Sequence, residues 1–230
     1  MPRVVKRADV RRNEILTTAY ALFCRHGYEA TTVNALIDEL GLSKGAFYHH
    51  FESKEEVVQA LARRMAEEMY AKALPLVTSE RLSPLDKLNL MFGAGAEYKK
   101  ARLPMMRAMM EIFAREENLR LRNRLMAESI AVVGPLFARI LEEGKASGAF
   151  HIDDPGETAR LMFHLGTYLQ DSFAEGMRRA KNDLPGAVAE LRLRIDAYAR
   201  ALERILGVGP HTLAVLDDDD IALFLTLEKS

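Results

Sequence analysis

Residues 31–57, TTVNALIDELGLSKGAFYHHFESKEEV, contain three short helix signals separated by two tight breaks. The first signal has apolar residues at the i, i+3, i+4 and i+7 positions of one helix face: Val33, Leu36, Ile37 and Leu40. Thr31 or Thr32 can serve as its N-cap. Gly41 follows where a chain leaving a helix commonly adopts a positive φ, which glycine tolerates without steric cost. The spacing therefore predicts a short helix that ends at Gly41.

A second helix signal begins directly after this break. Ser43 is a good N-cap, and Phe47 and Phe51, four residues apart, would face inward. The other face carries cationic, hydroxyl and imidazole donors with little bulk at its start: Lys44, Gly45, Tyr48, His49 and His50. Such a face can lie close to phosphates and base edges in a major groove, which predicts a DNA-binding helix-turn-helix. Spacing alone also fits any compact helical domain with a polar outer face.

The third signal is a capping box. Ser53 and Glu56 flank two residues just ahead of Val57, a pattern that opens a helix, and Lys54 lies in its first turn. This helix is predicted to run to about residue 73. It would connect the helix-turn-helix to the rest of the chain, so that a small rotation of it would move the recognition helix.

The amino-acid sequence of this segment resembles the recognition-helix signature of the TetR (tetracycline repressor) family. The resemblance is carried by SKGAFYHHFESKEE, by Tyr28 and Thr31-Thr32-Val33, and by Gly41-Leu42, and it covers about the first 58 of 230 residues. One departure is Ile37, where the family often has alanine, which should alter packing more than function. By resemblance, eight residues are expected to contact DNA: Thr31, Thr32, Lys44, Gly45, Tyr48, His49, His50 and Lys54.

Composition and charge narrow the class of protein. Hydrophobic residues make up 49% of the chain, the mean hydropathy is -0.11 and no apolar run approaches 18 residues, so a soluble, cytoplasmic protein without membrane spans is expected. The single cysteine, Cys24, excludes an intrachain disulfide.

Charge is unevenly distributed along the chain. Residues 1–12 hold five basic residues and one aspartate, a net charge of +4, whereas residues 208–230 have a net charge of -4. The basic end is the one next to the helix-turn-helix, where phosphates would need it.

The remaining pattern predicts an all-α protein. We expect a helix-turn-helix domain at residues 1–53, with a flexible basic arm over residues 1 to about 9, and a larger helical effector-binding and dimerisation domain at residues 54–230. Further helices are predicted at about residues 10–26, 83–102, from 104, 117–144, from 154 and from 184. Residues 208–230 fit either a last helix or a strand. An apparent calcium loop from Asp217 is rejected, because Ile221 and Ala222 occupy positions that require an oxygen ligand and glycine.

Two late helices are more apolar than one-sided packing in a small domain requires. The helix after Pro185 has apolar residues spaced alternately by three and four, as in an a/d seam. We expect these helices to pair with their copies in a homodimer, as the TetR resemblance also implies; an intrachain seam is the alternative. The predicted interface comprises Leu161, Leu165, Leu169, Phe173, Val188, Leu191, Ile195, Tyr198 and Leu202.

The second half also contains a cluster of Met and aromatic residues. Methionine side chains refill irregular volumes, so the cluster could enclose a pocket for a small apolar effector, or it could simply fill the core. Since the family usually binds an effector in this half, the predicted pocket comprises Met91, Phe92, Met105, Met109, Met110, Phe113, Phe137, Met162 and Tyr168.

No motif for catalysis, nucleotide binding or metal binding is present, so we expect no cofactor, no metal and no enzyme activity. The sequence thus predicts a dimeric transcriptional regulator, most simply a repressor released from a near-palindromic DNA operator by an effector. The alternative is a helical enzyme or interaction module with a helix-turn-helix-like corner.

Overall fold

Helices make up all the regular structure in the part of the chain that is described. The structure is a computed structural model that describes the backbone of residues 2–113 and 115–226, and the side chains of residues 9–110, 112–113 and 115–226. The helices are α1 (Pro2–His26), α2 (Val33–Leu40), α3 (Lys44–Tyr48), α4 (Lys54–Val77), α5 (Pro84–Lys100), α6 (Leu103–Phe113), α7 (Leu119–Ala146), α8 (Pro155–Ala180), α9 (Leu184–Leu206) and α10 (Asp218–Leu225). The predicted all-α fold is confirmed. None of these helices is long and apolar enough to span a bilayer.

Two helix boundaries differ from those predicted. Helix α1 begins at Pro2, so the backbone of the segment expected to be a flexible arm is helical. Helix α4 continues through Pro75 to Val77, where both the amide and the hydroxyl of Thr78 donate to the Leu74 carbonyl at 2.9 Å. A proline this close to a helix end removes only one backbone hydrogen bond, which explains why the helix does not stop there.

The chain divides into two compact units, and the division does not follow the expected boundary at residue 53. The first unit comprises Met1–Met65 and Pro104–Glu128, and the second comprises Ala66–Leu103 and Ser129–Ser230. Helices α4 and α7 each continue from one unit into the other. Helix α6 and the start of α7 therefore belong with the helix-turn-helix.

The core of the first unit explains this division. Apolar side chains of α1, among them Ile15 and Phe23, share one buried cluster with Phe47 of α3 and with Met105 and Ile112 of α6. A three-helix module of this size buries little surface by itself. The apolar face of α6 and Leu121 and Leu125 of α7 complete its core.

Cys24 lies half-buried on α1 in this unit. Burial is the main cause that raises the pKa of its thiol, opposed by a hydrogen bond with Tyr20 and by the charge of Arg107. A thiol held in the protonated form is a poor nucleophile.

The second unit is built around helices α8 and α9. Leu191, Ile195 and Leu202 of α9 are fully buried, and the Tyr198 hydroxyl donates to the Met162 carbonyl at 3.2 Å. Burial raises the pKa of Tyr198 to about 12. The apolar seam of α9 therefore packs within its own chain.

The tail beyond α9, whose structure the sequence left open, ends in helix α10. Asp217 caps this helix by accepting a hydrogen bond from the Asp220 amide at 2.7 Å. The ring of Phe224 lies 6.2 Å from that of Phe173 on α8, and Asp220 forms a 2.7 Å ion pair with Lys100 on α5. Long-range contacts thus hold α10 against the second unit.

The segment between α9 and α10 is fixed by side chains rather than by regular structure. The buried carboxylate of Glu203 accepts hydrogen bonds from the Thr212 and Leu213 amides at 2.8 and 3.0 Å. The amide group of Asn89 donates to the Thr212 carbonyl and accepts from the Ala214 amide. These bonds satisfy backbone groups that no helix could satisfy.

The turn between α2 and α3 depends on the conformation of Gly41, which has φ of 60° and ψ of 32°. The Gly41 amide donates to the Asp38 carbonyl and the Leu42 amide donates to the Ile37 carbonyl, at 3.2 and 3.0 Å. The left-handed backbone closes the end of α2 and redirects the chain into α3.

We expect Gly41→Ala to lower the free energy of unfolding by roughly 1–2 kcal/mol, because a residue with a Cβ is strained in the left-handed region. Steric overlap is not involved, since a Cβ at Gly41 would have no atom within 4 Å. Gly45→Ala is the matched control: its Cβ is equally unobstructed, but its φ is not positive. It should leave stability unchanged or raise it slightly. Chemical denaturation measures the free energy of unfolding of both variants. Equal losses of this free energy would contradict backbone strain as the reason for glycine at residue 41.

Candidate nucleic-acid interface

Helices α2 and α3 form the predicted helix-turn-helix, and each helix begins with a side-chain N-cap. The Thr32 hydroxyl accepts a hydrogen bond from the Ala35 amide at 3.1 Å, and the Ser43 hydroxyl accepts one from the Ala46 amide at 3.2 Å. Each cap satisfies an amide that the first turn of a helix leaves unpaired. The local sequence therefore sets where both helices begin.

The orientation of α3 is set by two phenylalanines. Phe47 and Phe51 are fully buried, with ring centroids 6.3 Å apart. Leu36 and Ile37 of α2 are buried in the same cluster, so this core accommodates the larger isoleucine at residue 37. With its inner face anchored, α3 must turn its other face away from the core.

That outer face brings together the five residues predicted for the recognition helix. Tyr48 is 51% exposed, Lys44, Gly45 and His49 are exposed, and His50 is partly exposed. No atom lies within 4 Å of a Cβ built on Gly45, so packing within the chain does not require glycine there. The lack of a side chain at Gly45 leaves the surface open to close approach from outside.

Basic residues of α1 lie beside this face. The guanidinium of Arg12 lies 4.3 Å from the centroid of the Phe51 ring. Partial burial, and then the charges of His49, Arg12 and Arg11, lower the pKa of His50. The sequence analysis counted Arg11 and Arg12 only in the net charge of residues 1–12; the fold of α1 places their charge next to His50.

Two of the predicted phosphate contacts point into the protein. Thr31 is only 2% exposed, and its hydroxyl donates to the Gly27 carbonyl at 2.8 Å. The Lys54 ammonium donates to the Tyr28 carbonyl at 2.9 Å and lies 4.0 Å from the centroid of the Tyr28 ring. Burial is the main cause that lowers the pKa of Lys54, opposed by Glu29 and Glu55.

The phosphate contacts expected of Thr31 and Lys54 stay predictions, and in this structure both side chains have a structural role. Both side chains hold the loop between α1 and α2 in place, because their polar atoms are already bonded to its backbone. Thr32 is the member of the expected phosphate-binding group that remains exposed. Its hydroxyl still has acceptor and donor capacity beyond the cap that it forms.

The nine residues of the predicted effector pocket are divided between the two units. Met105 and Met109 are buried in the core of the first unit, and Phe113 packs against that core, which agrees with the alternative of core filling for α6. In the second unit the Phe137 ring lies 6.1 Å from Phe92 and 5.1 Å from Phe163. Met91 and Met162 are buried and Tyr168 is exposed; Met110 is partly buried.

The predicted dimer residues are also divided, by exposure. Five of them are buried within the chain and cannot meet a partner without unfolding it: Leu169, Leu191, Ile195, Tyr198 and Leu202. Phe173 and Val188 are partly buried. Leu161 and Leu165 of α8 remain exposed, at 54% and 36%, and Tyr168 on the same stripe is 49% exposed. The a/d spacing of α9 therefore describes an intrachain seam.

The second unit also contains a polar cluster that the sequence did not indicate. The Glu68 carboxylate of α4 accepts hydrogen bonds from the Tyr98 hydroxyl at 2.8 Å and from Arg102 at 2.7 Å. The Arg102 guanidinium also lies 3.9 Å from the centroid of the Tyr98 ring. This cluster ties the end of α5 to α4. Among the described residues, no three His, Cys, Asp or Glu side chains come together to hold a metal ion.

Comparison with known proteins supports the helix-turn-helix interpretation of the first unit. Residues 15–61 match the family model described as bacterial regulatory proteins of the tetR family. The match covers the second half of α1, both helices of the helix-turn-helix and the start of α4. It thus coincides with the segment whose caps, core and outer face are described above.

Curated relatives extend the similarity. The transcriptional repressor KstR2 of Mycobacterium tuberculosis is 39% identical over 97 residues, which cover 42% of this chain and 48% of that protein. The chain therefore spans about half the length of that relative. The transcriptional repressor KstR2 of Mycolicibacterium smegmatis is 31% identical over 147 residues, which cover 62% of this chain and 69% of that protein.

A solved structure shares the fold beyond the matched segment. A tetR-family transcriptional regulator of Pectobacterium atrosepticum superposes with a TM-score of 0.66 over 90% of this chain and 98% of that one, at 20% identity. The sequence similarity to the M. smegmatis repressor covers more than two thirds of that protein. The chain therefore belongs to the tetR family of bacterial regulatory proteins, which are regulators rather than enzymes.

Proposed function

We propose that this protein is a dimeric transcriptional repressor that binds a near-palindromic DNA operator and leaves it when a small molecule binds the second unit. The observation that carries the proposal is the outer face of α3, where Lys44, Gly45 and Tyr48 are exposed above a core fixed by Phe47. Curated relatives named as transcriptional repressors support the same direction of regulation. Action on DNA would place the protein in the cytoplasm.

The contacts follow from the chemistry of the outer face. Gly45 would allow the backbone of α3 to approach the duplex closely, while Lys44, Tyr48 and His49 supply donors to phosphates and base edges. Thr32 is exposed at the start of α2, and Arg12 adds charge beside His50. The proposed DNA-binding module is larger than residues 1–53, because α6 completes the core that orients α3.

A homodimer is proposed because one recognition helix makes too few base contacts for useful specificity. Two copies related by a twofold axis would present their α3 helices to successive major grooves, about 34–36 Å apart. Leu161, Leu165 and Tyr168 form an exposed apolar stripe over two turns of α8. A contiguous stripe of this kind usually marks an interaction surface, whereas single exposed leucines do not.

Release by an effector is proposed to act through α4. This helix is continuous from the first turn after the helix-turn-helix into the second unit. There the Glu68 carboxylate binds Tyr98 and Arg102 at the end of α5. A ligand that shifts α5 would displace these partners and rotate α4. It would release DNA only to the extent that it binds the shifted state more tightly.

The central test is a selection of bound DNA from a random pool. We expect a near-palindrome whose half-site centres are separated by about one helical turn or a multiple of it. Against this sequence, Gly45→Ala should weaken binding roughly tenfold, since its Cβ would intrude on the close approach to the duplex, and Tyr48→Ala should weaken it to a similar degree through a lost hydrogen bond.

Gly93→Ala is the matched control for Gly45→Ala. A Cβ at Gly93 also meets no atom within 4 Å, but the residue lies on α5 in the second unit. It should leave operator affinity unchanged in a gel-shift titration. The proposal would be wrong if the selection returned unrelated sequences, or if Gly45→Ala and Gly93→Ala changed operator affinity equally.

The dimer surface predicts a separate outcome. Leu165→Glu should convert the protein to a monomer in light scattering and abolish operator binding, because a charge would be buried in the apolar interface. Circular dichroism should stay helical, since Leu165 does not pack in the core. Leu90→Glu, at an exposed leucine of α5, should remain dimeric. A dimer that tolerates Leu165→Glu would disprove this surface.

Operator binding should strengthen as pH falls from about 7.5 to 5.5. The pKa of His50 is lowered in the free protein, so this imidazole is mainly neutral at the upper end of that range. A nearby phosphate favours the protonated form, so binding takes up a proton and is strengthened by acid. His50→Gln should reduce the pH slope, whereas His211→Asn, in the tail, should not. An unchanged slope in His50→Gln would argue against contact with phosphate.

A further inference from the structure

Arg12 lies on the core-facing stripe of α1. It precedes Ile15 by three residues and Ala19 by seven, and both of these side chains are fully buried. In a helix with about 3.6 residues per turn, this spacing places all three residues on one side. Asp9 and Val10, just before Arg12, are exposed. An arginine therefore stands on the inward side of α1, at a position where an apolar residue would be expected.

The guanidinium of Arg12 is held against an aromatic ring. Its carbon Cζ lies 4.3 Å from the ring centroid of Phe51, which is buried shortly after the recognition helix. Stacking on a ring fixes the plane of a guanidinium and leaves the N–H groups at its edges able to donate. Arg12 remains partly exposed, so its side chain is not sealed inside the protein. The guanidinium is thus oriented in advance beside the end of α3.

The hydrogen-bonding capacity of Arg12 is not used within the described part of the chain. Its nitrogen Nη1 is enclosed without a hydrogen-bond partner there, and no described carboxylate forms an ion pair with the guanidinium. The neighbouring Arg11, by contrast, pairs with Glu14 at 2.6 Å. A guanidinium carries several N–H donors and a full charge, and native proteins seldom leave such groups unmatched. This arrangement favours an anion from outside the chain as the partner of Arg12.

The groups around Arg12 at the end of α3 also suit an anion. The rings of His49 and His50, which follow α3 directly, have centroids 5.1 Å apart. Burial, and then the charges of His49, Arg12 and Arg11, lower the pKa of His50, so these three groups all act on it as cations. Hydrogen bonds from cationic donors to phosphate oxygens are among the stronger contacts that proteins make with DNA. The end of the recognition helix therefore offers donors of one charge sign.

We propose that Arg12 binds a phosphate of the DNA backbone beside the end of α3, so that α1 contributes a contact from outside the helix-turn-helix. The inference rests on the proposed operator binding and adds a residue to its DNA contacts. Because Arg12 lies on the ring of Phe51, its position is set by the same core that orients α3. Phosphate contacts carry no base identity, so Arg12 fixes the register of the recognition helix on the duplex rather than selecting bases.

The first test is the salt dependence of operator binding. Removing a cation that contacts phosphate lowers the slope of log K against log salt concentration by about 0.9 per contact, or about 1.8 for the two copies in a dimer. We expect this change in Arg12→Met, which keeps an apolar side chain over Phe51, and no change in Arg12→Lys, which keeps the charge. Arg124→Met, at an exposed arginine of α7 in the same unit, is the matched control and should keep the wild-type slope. The melting temperature shows that each variant is folded.

The second test locates the phosphate. Each backbone phosphate of the operator is replaced in turn by an uncharged methylphosphonate, and the affinities of wild-type protein and Arg12→Met are compared by gel shift. We expect one position in each half-site where the neutral linkage weakens the wild-type complex about tenfold but leaves the Arg12→Met complex unchanged. At every other phosphate the two proteins should respond equally. This pattern requires a direct contact, because a side chain that only supports the fold would affect binding equally at all positions.

The outcomes separate the role of Arg12 from the proposed function. An unchanged salt slope in Arg12→Met, or a phosphate scan without a position specific to Arg12, would overturn the role of Arg12 and leave the repressor standing. An equal loss of slope in Arg124→Met would also overturn it, since the effect would then follow net charge alone. If no operator were selected, the repressor would fall, while a duplex of random sequence would still decide the salt test, because phosphate contacts do not depend on sequence.

Discussion

The burial of Phe47 in the core of the first unit is the contact on which the DNA-facing surface depends. Helix α3 has only five residues, and a helix of that length is not stable in water by itself. Its Ser43 cap and the anchoring of Phe47 hold it in place, with Phe51 buried directly after it. Once the inner face is fixed in this way, the outer residues have no freedom to turn inward. The open space at Gly45 and the exposure of Tyr48 follow from that constraint.

The same core also contains parts of helices that continue into the second unit. Met105 and Ile112 of α6 and Leu121 of α7 pack in the cluster that holds Phe47. Helices α4 and α7 then continue into the second unit. A helix is stiff along its axis because each turn is hydrogen-bonded to the next. Helices α4 and α7 therefore connect the second unit covalently to the core beneath α3.

The second unit is held together by a buried helix seam and by side chains that fix its tail. Helices α8 and α9 pack through a buried seam, and the tail is fastened to them and to α5 by Glu203, Asn89 and Asp220. The end of α5 is tied to α4 by Tyr98, whose hydroxyl donates to the Glu68 carboxylate at 2.8 Å.

The sequence by itself determined the helix-turn-helix, the family resemblance and the all-α class. These follow from short-range rules: caps at Thr32 and Ser43, the positive φ of Gly41, and the spacing of apolar residues. Only the tertiary structure decided which partner covers each apolar or polar face. It turned Thr31 and Lys54 inward, assigned the methionines of α6 to the first unit and buried Leu191 and Ile195 of α9 within the chain. The physical reason is that periodicity shows which side chains share a face, whereas the neighbour across that face comes from residues distant in the chain.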